Sequence, residues 1–163
     1  MIKHIKKILL CLLLLSGCID NKLRNGPIIP DIQYAQIVHS SGEWIIADML
    51  KSDLEKGQGL SGIKSHEYPE NKGAFFFSGQ DGVHNFWMPD TYFNLDIIYL
   101  DKNLKIIKID KNVSAHPGYK EPPAIPRMKP VWCRHVLEIR AGSSFSKVIK
   151  TGDKLKWKSK NSF

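Results

Sequence analysis

The chain opens with Met1–Cys18, in which three lysines precede an unbroken apolar run from Ile8 to Leu15. Ile19–Gln33 then shows no periodicity. From Tyr34 onward short apolar runs alternate with turn residues. Tyr34–His39 and Trp44–Leu50 have the spacing of strands, with Ser40-Ser41-Gly42 between them as a hairpin connection. Ser52-Asp53-Leu54-Glu55 has the form of a capping box, and Gly57 and Gly59 stop that helix within about two turns. Leu60–Gly73 is polar and turn-rich, a surface loop in which His66 and Glu67 are solvated. Ala74–Phe77 is a continuous apolar run that predicts a strand covered on both faces.

The densest aromatic and β-branched stretch runs from Val83 to Asp110. Asp101-Lys102-Asn103 divides it, which predicts an antiparallel hairpin of Leu95–Leu100 with Leu104–Ile109. Asn112–Pro130 holds five prolines and is the longest irregular segment; loops of that length are functional or disordered. Trp132–Arg140 reads as one strand. Ala141–Ser144 reads as a turn with a cap for a short helix, and Leu155–Trp157 as a last strand after Gly152-Asp153. Strands joined by short turns, with one or two short helices, predict a mainly β domain, a compact sandwich or barrel, over residues 34–158 with a tail at 159–163.

The N-terminal run is too short to span a bilayer, which takes about 20 apolar residues. Its lysines, apolar core and Ser16-Gly17 are the parts of an export signal. Leu15-Ser16-Gly17-Cys18 resembles the lipobox of bacterial lipoproteins. That resemblance implies cleavage after residue 17, diacylglycerol on the Cys18 thiol and acylation of its new amino group. The partner is then a membrane, held through lipid on Cys18, with residues 18–33 as a tether. Ile19 after the cysteine resembles outer-membrane rather than inner-membrane sorting, so the expected location is the exported face of the cell membrane or outer membrane.

Charge changes the picture little. The chain has 163 residues and a formal net charge of +8. Subtracting Lys3, Lys6 and Lys7, lost with the signal, leaves +5. The remaining lysines are scattered, with neither a basic patch nor a nucleic-acid-binding motif, so no nucleic-acid partner is expected. Cys11 leaves with the signal and Cys18 carries lipid, so Cys133 alone remains a thiol and no internal disulfide can form. Its apolar surroundings, Val131-Trp132-Cys133, make it a small core hydrophobe.

Asp96 is the most oddly placed carboxylate. In a strand it shares a face with Ile98 and Leu100, while Leu95, Ile97 and Tyr99 take the other. One reading makes it a ligand-binding or general-base carboxylate facing a pocket beside Trp87. The other makes it a structural acceptor for backbone N–H groups of Phe86–Thr91. Trp87 and Met88 form either an apolar or sugar-stacking platform or plain core. His84 and His116 flank the same stretch, but no metal-binding spacing, nucleophile elbow or phosphate loop is present. No cofactor or metal is expected. Three roles stand: a binding module for a small or glycan-like ligand, a metal-dependent or hydrolytic enzyme using Asp96, and a purely structural or partner-binding lipoprotein.

Phe86-Trp87-Met88, Thr91 and Leu95-Asp96-Ile97-Ile98-Tyr99-Leu100-Asp101 resemble the family catalogued as domain of unknown function 192. Gly59-Leu60-Ser61-Gly62, Val136-Leu137-Glu138-Ile139 before Ala141-Gly142, and Gly152-Asp153 match it in order. The resemblance covers about Ile37–Trp157 and implies a compact β-rich domain, often exported and sometimes lipid-anchored, with no activity attached. The family usually has Lys-Asn after Trp-Met, where this chain has Pro89-Asp90, and the Asn112–Pro130 loop lacks the cysteines of some relatives.

Overall fold

A computed structural model describes residues 33–159. The expected signal and lipidation site at residues 1–18, most of the expected tether and the last four residues lie outside the described residues.

β1 (Tyr34–Val38) and β2 (Trp44–Leu50) form the expected hairpin. Gly42 makes its turn possible with φ +93°, a left-handed backbone that side chains disfavour. Ser52 caps α1 (Asp53–Gln58): its Oγ accepts from the Glu55 N–H at 3.3 Å, and Glu55 Oε2 accepts from the Ser52 N–H at 2.8 Å. The chain then passes a single 3-10 turn (Ser65–Glu67) and enters β3 (Lys72–Phe76), which runs parallel to β2. Arg140 shapes this crossover by donating to Ser65 Oγ, Ser65 O and Tyr68 O. His66 and Glu67 are exposed.

β4 (Gly82–His84) leads to β5 (Leu95–Leu100) and β6 (Ile106–Val113), which pair antiparallel. β6 lies two residues beyond its expected start and extends into the expected loop. The Asp101 carboxylate accepts the N–H groups of Asn103 and Lys105 and holds Leu104 at φ +61° in the turn. The single strand expected over Trp132–Arg140 is two. β7 (Val131–Cys133) pairs with β4, and β8 (His135–Arg140) lies between β5 and β3. The break falls at Arg134, whose guanidinium donates to Asp81 Oδ1 at 2.6 Å and to the Gly79 carbonyl. α2 (Ser144–Val148) and β9 (Lys156–Ser159) complete the described chain, so β9 takes in Ser159, the first residue of the expected tail.

The main sheet has the order β6-β5-β8-β3-β2-β1-β9. It curls into a half-barrel, and the segment before β9 touches the edge at β6: Lys105 bridges Lys154, and the Ile106 N–H donates to the Asp153 carbonyl at 2.8 Å. The mainly β, barrel-like fold class expected from the sequence is what forms. Each face of the sheet buries its own core. Ile37, Ile45, Phe75, Ile98, Leu137 and Ile139 fill the inside of the curl, plugged by Phe145 and Ile149 of the α2 segment. On the outer face of β3, β5 and β8, residues such as Phe76, Leu95, Tyr99 and Val136 pack beneath Leu60, Tyr68, Phe86, Met88 and Phe93. The long proline-rich loop folds back over that second core. The Met88 N–H donates to the Pro126 carbonyl, and the Met128 N–H to the Phe86 carbonyl.

Candidate functional site

Strand alternation sends Leu137 and Ile139 of β8 into the curl, and Val136, Glu138 and Arg140 to the outer core. Glu138 thus sits between Ala74 of β3 and Ile97 of β5, in a part of the sheet with no other charged cross-strand neighbour. It is 5% exposed. Its carboxyl has no hydrogen-bond or ion-pair partner among the described residues, and burial alone pushes its pKa up to about 8. Such a group normally finds a partner in the protein. Glu138 instead lines a cleft of about 350 Å³.

The cleft is built by three segments. The end of α1 contributes Lys56 and Gly59; the β4 region contributes His84, Trp87 and Met88; and Phe76 stands beside Glu138 from β3. Gly59 has φ +50°, and a Cβ there would lie 3.1 Å from the Phe76 ring and 3.5 Å from Glu138 Oε2. Glycine therefore keeps open the space above the carboxyl. Part of the wall is aromatic and fixed, Phe76 and Phe86 meeting edge to face with ring centroids 4.9 Å apart. Trp87 is half exposed, with the Arg127 guanidinium 5.4 Å from its ring centroid. His84 is held below its usual pKa by burial and by Lys56. Two more buried polar atoms on this side of the sheet lack a partner among the described residues: Arg140 Nε and the Tyr68 hydroxyl, whose pKa is raised by burial together with Asp48 and Glu138.

The candidates read from the sequence divide. Trp87, Met88 and His84 do meet at the cleft. Asp96, expected either to face a pocket beside Trp87 or to cap Phe86–Thr91, does neither. It points into the curl and accepts from Lys111 Nζ at 3.0 Å, from Ser146 Oγ at 2.5 Å and from the Asn112 N–H at 2.8 Å. Three donors satisfy it, and they come from β6 and α2, elements whose approach the local pattern around Asp96 does not reveal. His116 also stands apart: its Nε2 meets the Lys120 carbonyl at 3.0 Å, and its backbone bridges Thr91. Among the described residues no three His, Cys, Asp or Glu side chains come together as a metal site. Cys133 is buried, and burial pushes its thiol up to about 11, the opposite of what a nucleophile needs.

Pro89-Asp90 has a local role. The Pro89 carbonyl accepts from Ser61 Oγ and Thr91 Oγ1, while Asp90, at φ +51°, accepts the Gly118 N–H on its carboxylate at 3.1 Å. The pair ties the cleft segment to the long loop. Glu138, Lys56 and Gly59 were not among the site residues expected from the sequence. The signal for Glu138 was present, as a lone carboxylate inside Val136-Leu137-Glu138-Ile139.

The family model of DUF192, described as an uncharacterised ACR, matches residues 36–157. No curated protein matches the chain. A solved structure from Sinorhizobium meliloti 1021, provisionally titled a transcription regulator, is 24% identical with a TM-score of 0.59, over 76% of this chain and 92% of its own. A protein of unknown function from Novosphingobium aromaticivorans is 23% identical with the same TM-score, over 76% of this chain and 84% of its own. At that identity the likeness shows the fold alone.

Proposed function

The chain belongs to the DUF192 family, and we propose that within it this protein is a lipid-anchored cell-envelope binding module holding a small or glycan-like ligand in the cleft over Glu138. One observation carries the reading: a buried carboxyl without a partner among the described residues lines a cleft that also holds Phe76, Phe86 and a half-exposed tryptophan, Trp87. Small ligands bind in concave sites where a few convergent polar groups fix their orientation. A ligand polar group placed over Glu138 supplies the hydrogen bond that the protein leaves out, and the Trp87 ring offers a stacking surface.

Tryptophan fluorescence of the full chain, titrated with a small-molecule extract of the cell envelope, tests the cleft. The extract changes the emission of the wild type, and Trp87→Ala and Glu138→Gln abolish the response while their circular dichroism stays that of the wild type. An extract that leaves the emission unchanged, or acts equally on all three proteins, sinks this reading. The anchor is tested separately. Cys18→Ser leaves the membrane fraction or accumulates with its signal uncut; unchanged membrane association counts against lipidation.

A further inference from the structure

The cleft is asymmetric in charge. Its floor is Glu138, a carboxyl on the middle of a central strand with no cation or N–H group against it. Lys56, half-buried at the end of α1, also lines it and lies close enough to His84 to influence that ring. No ion pair or hydrogen bond joins Lys56 to Glu138 among the described residues, and burial is what raises the carboxyl's pKa. The walls beside the carboxyl are Phe76, Met88 and Leu95, apolar side chains that bring no hydrogen-bond donor to it.

From this arrangement we propose, building on the cleft reading above, that the ligand carries a primary ammonium group received by Glu138 and an anionic group held by Lys56. A buried carboxylate is stabilised only by a cation or by several donors. A primary ammonium group brings both, with three N–H donors on a unit charge. A neutral hydroxyl brings one donor and no charge. The anionic end answers Lys56, which would otherwise repel an approaching amine. Amino acids, linear amino acids and phosphorylated amino sugars share this chemistry.

Ammonium binding needs the ionised carboxylate, so the Glu138 proton leaves for solvent as the complex forms. Affinity for the amine therefore rises with pH, by up to about tenfold from pH 6 to pH 7, below the raised pKa of the floor group. The titratable groups near the carboxyl do not imitate this. Tyr68 and Tyr99 titrate far above this range, both raised chiefly by burial. His84, lowered by burial and Lys56, already loses its proton below its usual pKa.

Three pairs of probes that differ only by an amine in place of a hydroxyl test the inference on the full chain purified in detergent. They are phenylalanine with phenyllactate, 6-aminohexanoate with 6-hydroxyhexanoate, and glucosamine 6-phosphate with glucose 6-phosphate. Calorimetry at pH 6 and pH 7 is expected to show at least one amine binding tenfold or more tightly than its hydroxyl twin. That binding tightens with pH and releases a proton. Glu138→Gln removes the preference and the pH dependence, and Lys56→Met weakens both members of the pair alike. Equal binding of amine and hydroxyl twins overturns the inference and leaves the cleft reading intact. Unchanged amine binding by Glu138→Gln overturns the assignment of the floor. Binding by none of the six probes also overturns the inference, and the extract titration then decides the cleft reading by itself.

Discussion

Replacing Glu138 with Gln keeps the shape of the side chain and removes one proton equilibrium. In the folded protein the carboxyl titrates at about 8, against 4.5 for an ordinary glutamate. Between those values the folded state keeps the proton while the unfolded chain releases it. The stability contributed by this group is therefore fully present below pH 4.5 and is lost as pH rises through 8. At about 1.4 kcal/mol per pH unit, the loss reaches about 3 kcal/mol by pH 7 and about 5 kcal/mol above pH 8. These are upper figures, since water drawn into the cleft solvates part of the charge. Glu138→Gln does not titrate. It should lie within about 1 kcal/mol of the wild type at pH 4.5 and become more stable than it by several kcal/mol at pH 8.5. Urea denaturation at pH 4.5, 6, 7 and 8.5 measures the difference, and all other titrating groups cancel in it. A difference that stays flat across this range would refute the reasoning, because Glu138 would then be as ionised when folded as when unfolded.

Other substitutions follow from the same geometry. His135 accepts the Ser78 N–H on Nδ1, stacks 5.1 Å from Phe77, and is lowered to about 4, chiefly by burial. Its neutral form stabilises the fold above pH 6.5, and that stability is lost as pH falls toward 4. His135→Asn should flatten this loss by about 2 kcal/mol in urea melts at pH 4.5 against pH 7; an identical pH dependence would refute it. Asp96→Ala takes the acceptor from Ser146 Oγ and the Asn112 N–H and leaves Lys111 only Ser146 to donate to, and should cost about 3 kcal/mol by urea denaturation. Adding Lys111→Met should recover part of it, whereas strict additivity would show that the pair is uncoupled. Gly73→Ala would place its Cβ 2.8 Å from Ile45 Cδ1 and 3.2 Å from the Glu138 carbonyl. The overpacking should cost about 2 kcal/mol, read as a lower melting temperature.

The fold was legible where local chemistry decides it. Turn glycine, capping box and alternating strands predicted β1, β2, α1 and β5 almost to the residue. The misreadings fell where a distant group ends an element. Nothing in Trp132–Arg140 itself signals a break, because Asp81 and Gly79, fifty-three and fifty-five residues earlier, hold Arg134 out of line. The proline-rich segment looked like a free loop because its partners, the backbones of Phe86, Met88 and Asp90, come from another part of the chain.

Asp96 and Glu138 make the same point within one pair of strands. Each is a lone carboxylate in an apolar strand, and each sits on a strand adjacent to the other's: Asp96 opposes Ile139, and Glu138 opposes Ile97. In sequence they look alike, and Asp96 drew attention because it lies in the denser run. What separates them is the face. The inner face brings Lys111 and Ser146, fifteen and fifty residues away, onto Asp96, and a carboxylate met by three donors and 1% exposed is closed to a ligand. The outer face brings Gly59, Phe76 and Met88 to Glu138, none of which offers it a hydrogen. Periodicity places a misfit charge on a face; only the elements packed on that face decide whether it is satisfied. The carboxylate left without donors is the one that retains binding capacity, and here it is also the one that opens onto a cleft.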